Sequence, residues 1–192
     1  MVLTITGPSG SGKTSLLRAL MKNYGVKTIL SATTRPKRRH EKEGLDYHFI
    51  PAGGEPPLEA FFEYTEFGGS IYGKLREDVL KAVHDDFHTV YAIVVDREGA
   101  QKYAKAFPET VRSVYLDTLP EFAETNLIRR DGKAKARERI KSDAQAGLFS
   151  TKGYDCILCN SEKMTIDGLA YQFMNYVEAM RRAFDMDHKE AV

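Results

Sequence analysis

Eight residues near the start of the chain, Gly7-Pro8-Ser9-Gly10-Ser11-Gly12-Lys13-Thr14, have the types and spacing that hold a polyphosphate. They fit the pattern of Gly, any four residues, Gly-Lys, then Ser or Thr. Glycines let successive backbone N–H groups turn inward toward phosphate oxygens, and the positive end of a following helix adds to their field. Lys13 supplies a mobile point charge for β- and γ-phosphates, and the Thr14 hydroxyl suits Mg2+. The competing reading is a glycine-rich turn with a chance lysine. Context argues against it, because the loop lies between an apolar strand-like run, Val2–Thr6, and a helix-like segment, Lys13–Tyr24. In that segment Leu16, Leu17, Leu20, Met21 and Tyr24 form one stripe. ATP or GTP is therefore expected, with Mg2+. The loop alone leaves open whether the phosphate is hydrolysed, transferred or only bound.

The elements that must position this loop follow from periodicity. Apolar runs of strand length alternate with helix-period segments, which predicts an α/β fold, a parallel sheet flanked by helices. Beyond Val2–Thr6, strands are expected at Lys27–Thr34, at Tyr91–Asp96 (a continuous apolar run suited to a central position), at Val111–Leu116 and at Cys156–Asn160. Helices are expected at Arg97–Phe107, at Pro120–Arg130 and near Ile166–Phe184, with a frayed polar tail over Asp185–Val192. The stretch 31–81 is rich in Gly, Pro and aromatics and does not read as one strand–helix unit. It is expected to be a small β-rich lobe inserted between core segments 1–30 and 82–192, all within a single domain of 192 residues.

Composition narrows the function classes. Lys and Arg total 28 against 27 for Asp and Glu, so the net charge is +1 and no global field favours nucleic acid or a membrane. No apolar run approaches the roughly 20 residues that span a bilayer, and no leader-like segment precedes the glycine loop, so a cytoplasmic protein is expected. The pair Cys156 and Cys159 lacks a second ligand pair for zinc and lies in an apolar run, so both are expected to be small buried strand residues. The basic run Arg35–His40 could be read as a nucleic-acid patch, but Glu41, Glu43 and Asp46 dilute it. Arg39, His40 and Lys42 read as solvated charges.

Three further segments carry chemistry: "LSATTRPKRRHEKEGLDYHF", "FFEYTEFGGSIYG" and "YDCILCNS". In this order behind a GPSGSGKT loop, over about Val2–Asn160, the chain resembles the guanylate kinase family. The resemblance implies a P-loop NTPase core, an inserted nucleoside-monophosphate-binding lobe, and a basic lid over about 129–142. It implies that Ser31, Arg35, Arg38 and Tyr47 hold the phosphate of an acceptor GMP or dGMP, together with Tyr72. Arginine forks match a phosphate bearing nearly two charges better than lysine does. It further implies that Glu63 reads guanine, where a carboxylate can accept from both N1–H and the 2-amino group; a surface acid beside an aromatic cluster is the plainer reading. Asp96 matches a position near the nucleotides, with capping of the next helix as the alternative; Gly99 matches a family glycine at that helix start. Asn160 matches a position near the donor's adenine.

For the lid, Arg130 (Arg129 being its rival) and Arg139 match the arginines that neutralise charge on the transferred group, and Arg137 could assist or face solvent. Lys13, Arg35, Arg130 and Arg139 are thus the expected catalytic set, acting by positioning and charge neutralisation with no covalent nucleophile. No nucleic acid, membrane or obligatory protein partner is expected. This chain departs from the family in having Lys74 where Ser or Thr contacts guanine, Val94 where an acid is common, and a lid about two residues short. Lys74 can still donate to the guanine O6. Two other readings stay open: a kinase of the same fold for another nucleoside monophosphate or a sugar phosphate, and a non-catalytic binding domain.

Overall fold

The computed structural model describes residues 1–39, 41–51, 53–67 and 69–189. In chain order the elements are β1 (Val2–Thr6), α1 (Lys13–Tyr24), β2 (Ala32–Thr33), β3 (His48–Phe49), β4 (Phe61–Phe67), β5 (Ser70–Leu75), α2 (Arg76–Val83), β6 (Tyr91–Val94), α3 (Arg97–Ala106), β7 (Val111–Thr118), α4 (Pro120–Asp131), α5 (Lys133–Gln145), β8 (Cys156–Asn160) and α6 (Ile166–Lys189). They form two compact units: Met1–Lys27 with the chain from Phe87 onward, and Thr28–Asp86.

The first unit is built on a parallel sheet in the order β6-β1-β7-β8. All five residues of β1 are buried, as expected of a strand paired on both sides and covered on both faces. Leu3 and Ile5 pack with Leu16 and Leu20 of α1 and with Leu169, Phe173 and Val177 of α6. Each such side chain, fully buried, contributes about 1.5–3 kcal/mol. The glycine loop leaves the carboxyl end of β1, α4 follows β7, and Asn160 closes β8 in register with Thr118. Everything at this edge therefore lies outside the carboxyl ends of parallel strands, where open α/β sheets bind ligands.

The second unit carries a mixed sheet in the order β3-β2-β5-β4. Its backbone is a β4–β5 hairpin with an irregularity between Phe61 and Glu63, which sets Glu63 opposite Lys74 and Thr65 opposite Tyr72. Gly73 is required by space. A Cβ there would lie 2.4 Å from the Glu63 carbonyl oxygen and 2.8 Å from the Tyr64 Cβ.

Several sequence expectations change. The strand expected over Lys27–Thr34 shrinks to Ala32–Thr33, which pairs with β3 and β5 in the second unit, while Lys27 only bridges Tyr91. The strand expected to be central, Tyr91–Asp96, stops at Val94, and among the named strands it stands at one end of the sheet, where Lys27 pairs along its outer side. The cysteines are not buried: Cys156 is half-buried and Cys159 exposed, because β8 forms the other end of the sheet and alternates its side chains in and out. The tail expected to fray from Asp185 continues α6 to Lys189, and Phe184 stacks on Phe87 with ring centroids 3.9 Å apart. Glu190–Val192 lie outside the described residues, as does His40. On α1, Met21 and Tyr24 are exposed at the end of the apolar stripe. Among the described residues no helix is long and apolar enough to cross a membrane.

Candidate functional site

In the first unit the glycine loop is shaped by what grips its carbonyls. The Asn126 amide on α4 donates to the Gly10 carbonyl at 2.9 Å, and the Asn160 amide donates to the Ser11 carbonyl at 2.8 Å. A trans peptide points its C=O and the next N–H in opposite directions, so the Asn160 grip turns the Gly12 amide the other way, while the Ser11 amide donates to the Pro8 carbonyl at 3.2 Å. Gly10 holds φ +82°, and a Cβ there would sit 2.4 Å from the Ala123 carbonyl oxygen, so α4 can press against the loop only because this residue is glycine. Asn126 was not singled out by its sequence context; nothing in a helical run marks an asparagine as a loop clamp.

Lys13 opens α1 and folds back, donating to the Gly7 carbonyl at 2.7 Å and the Pro8 carbonyl at 2.8 Å. Burial pushes its ammonium down to about 8; Asp143 opposes that shift, and Arg130 adds to it. A cavity of about 490 Å3 lies over the loop, lined among others by Ser9, Lys13, Thr14, Arg130, Arg139 and Asn160. The structure thus brings together most of the residues expected at a donor site, while Arg129 and Arg137 do not line this cavity. Arg137 instead pairs with Glu124 at 3.4 Å. Gly132, at φ +85°, divides the stretch 129–142, expected to be a lid, between the end of α4 and most of α5.

Two acids in this basic segment were missed at the level of sequence. Asp131 accepts from Arg130 at 2.8 Å and lies 3.8 Å from Arg139, so it gathers both cavity arginines; Arg130 beside it holds its carboxyl below the usual range. Asp143, only 7% exposed, accepts from the Ser9 backbone N–H at 2.5 Å. The signal available was an acid inside a run otherwise dominated by lysine and arginine. Asp96 caps α3, its Oδ1 accepting from the Gly99 N–H at 2.7 Å.

The second unit gathers two clusters. Lys74, 5% exposed, donates to the Ser31 hydroxyl at 3.0 Å and lies 3.8 Å from Glu63 Oε1. Burial lowers its pKa, against the pull of Glu63. The second cluster centres on Arg35, whose guanidinium meets Glu41 through both oxygens at 3.0 and 2.8 Å and lies over the Tyr47 and Phe49 rings. Tyr47 in turn packs edge-on against Tyr72, 6.2 Å between centroids. Glu41 also accepts from the Arg38 N–H at 2.8 Å. The Arg35 hydrogen bonds, followed by that backbone bond, hold the Glu41 carboxyl down to about 2. The Arg38 side chain is exposed. Glu41 reads in sequence as a charge diluting a basic patch; in the structure it is the brace that fixes Arg35.

A family model described as guanylate kinase matches residues 1–179. The chain belongs to the guanylate kinase family. A guanylate kinase of Hyphomonas neptunium is 30% identical, with 100% of this chain and 90% of that protein covered. One of Maricaulis maris is 35% identical over 73% of this chain and 70% of its own length. Among solved structures, the guanylate kinase from Anaplasma phagocytophilum superposes with a TM-score of 0.58 at 24% identity, covering 94% of this chain and 85% of that one, a likeness of fold. Members of the family take ATP as co-substrate. Lys74 in the second unit and Asp143 beside the glycine loop are both buried charged groups.

Proposed function

We propose that the chain transfers the γ-phosphoryl group of ATP to GMP or dGMP, giving ADP and GDP or dGDP. The observation that carries this reading is the family match over residues 1–179, which spans both the glycine loop and the cluster of Ser31, Arg35, Tyr47, Glu63 and Tyr72. The loop amides and Lys13 bind the donor's phosphates. Arg130 and Arg139 neutralise charge as the γ-phosphorus leaves the ADP oxygen and bonds to an oxygen of the acceptor phosphate. That oxygen attacks directly, and the electron pair of the broken bond remains on ADP. Arg35, with Ser31, Arg38, Tyr47 and Tyr72, binds the acceptor phosphate, while Glu63 and Lys74 read the base. Asp96 contributes from the start of α3, and Asn160 serves the donor through its grip on the loop.

The metal fits as a guest of the nucleotide. Among the described residues no group of three or more His, Cys, Asp or Glu side chains could hold an ion, whereas the Thr14 hydroxyl lines the cavity. Thr14 would supply one ligand to Mg2+ and the phosphates others; the ion would add charge neutralisation at the transferred group. The reading describes a catalytic domain working on small molecules, with lid residues about 129–142 and an acceptor lobe about 31–81.

The test is an acceptor panel: ATP with each nucleoside monophosphate in turn and with sugar phosphates, following ADP release. GMP or dGMP should accelerate release most. Acceleration only by another acceptor would transfer the chemistry to that substrate, an outcome the charge of Lys74 beside Glu63 gives a physical route.

A further inference from the structure

The β4–β5 hairpin of the second unit buries a charge that a strand ordinarily keeps in water. Lys74 lies in β5 with its side chain almost wholly covered, and a lysine is buried only where something answers its ammonium. The answer comes from β4. One extra residue between Phe61 and Glu63 shifts the register so that Glu63, not Phe62, stands opposite Lys74; a bulge of this kind re-aims a side chain across the pair. The Lys74 Nζ lies 3.8 Å from Glu63 Oε1 and donates to the Ser31 hydroxyl at 3.0 Å. Burial works against the ammonium and Glu63 sustains it, so the two charges persist as a pair. Among the described residues the bond to Ser31 is the one hydrogen bond this ammonium makes, so it has donors to spare.

We propose that the Glu63–Lys74 pair sets the acceptor class as 6-oxopurine nucleoside monophosphates, the hypoxanthine nucleotide being accepted beside the guanine one. The inference rests on the acceptor-site reading above and concerns which edge of the base that site reads. A carboxylate beside an ammonium is an acceptor next to a donor. The matching ring edge is a donor next to an acceptor, the N1–H and O6 that guanine and hypoxanthine share. In the same pose adenine puts its amino group against the ammonium and a bare ring nitrogen against the carboxylate. Guanine differs from hypoxanthine only in its 2-amino group. A carboxylate that loses this donor with no cation beside it is left with a desolvated, unanswered oxygen, which is how polar sites reject truncated substrates. Here Lys74 stands next to that carboxylate already, so the released oxygen keeps a charged partner. The pair moves discrimination from position 2 of the base to position 6.

The wild-type chain tests this with no variant, by kcat/KM for GMP, IMP and AMP at saturating ATP. IMP should stand within about tenfold of GMP, the scale of one ordinary hydrogen bond, and AMP about 10³-fold or more below GMP. A wider gap for IMP, or AMP level with IMP, would overturn the inference while leaving the kinase reading intact. No acceleration by either 6-oxopurine nucleotide would overturn both. Lys74→Met keeps a buried stem of similar length and removes the charge. In that variant the IMP-to-GMP ratio should fall about tenfold while the AMP-to-GMP ratio rises. Ratios that stay fixed, or that move together, would show Lys74 to be packing only and would overturn its part in base choice.

Discussion

On the proposed reading, the two units offer positive charge to phosphate by different means. The glycine loop presents backbone amides, its path held by Asn126 and Asn160 gripping two of its carbonyls, with Lys13 as the added charge. The Thr28–Asp86 unit presents side chains, above all Arg35, fixed by Glu41 and by the rings of Tyr47 and Phe49. A backbone cradle is specified by the chain path, so it tolerates changes in the side chains that ride on it. A side-chain cradle is specified residue by residue and loses its geometry with any member. On the same reading, base recognition has the second character too, since Glu63 and Lys74 face each other from β4 and β5.

That difference can be broken or sharpened by substitution. The largest effect is expected for Lys13→Ala, the one donor-site side chain that carries charge directly on the loop: kcat should fall by about 10³-fold with GMP affinity retained, as steady-state kinetics with varied GMP would show. Next comes Arg35→Lys, which keeps the charge but loses the fork. KM for GMP should rise by about 10- to 100-fold with the ATP constant unchanged; equal damage to both substrates would erase the distinction between the units. Glu63→Gln should reduce the preference for GMP over AMP by about tenfold, measured as the ratio of kcat/KM values, because one charged acceptor for the base is lost. Equal loss for both nucleotides would remove Glu63 from base reading.

Two pH profiles sharpen the comparison further. Lys13 in the free enzyme loses its proton near pH 8, so kcat/KM for ATP should fall as pH rises through about 8. That lowered value also means that the unfolded chain holds the proton longer, so stability gained from this group rises between about 8 and 10.5. In the second unit stability also rises with pH, but across an acid window. The Glu41 carboxyl is held near 2 against an ordinary 4.5, so its stabilising contribution is full above 4.5 and lost as pH falls toward 2. Glu41→Gln should flatten that acid limb of the melting curve. The smallest effect is expected for Ser9→Ala: the loop uses this residue's amide, so ATP affinity should stay within about twofold, less than a typical surface interaction is worth.

The same contrast explains what the sequence made legible. The donor unit could be read because its elements are long and periodic and its cradle is a local motif: β1, the loop and α1 are contiguous and stand where expected. Arg130 and Arg139, the arginines expected in the lid, both border the cavity. Braces were not legible. Asp143 meets Ser9 across 134 positions, and Asn126 meets Gly10 across 116, so no local pattern announces either. In the acceptor unit the motif residues could be named, but β2 and β3 are two residues each, too short for periodicity to mark, and the partnership of Glu41 with Arg35 depends on a turn that composition does not encode. The misjudged cysteines have a similar cause: an apolar run reads as buried until the sheet order puts β8 at an end.

That end position makes Cys159 useful. Its thiol is exposed, whereas Cys156 is half-buried and burial raises its pKa, which slows its reaction with electrophiles. A maleimide fluorophore should therefore label Cys159 preferentially. The adjacent residue, Asn160, grips the Ser11 carbonyl inside the glycine loop. The exposed cysteine is thus a ready optical reporter, one residue from the nucleotide cradle, on which loading of the site could be watched in real time without introducing a foreign residue.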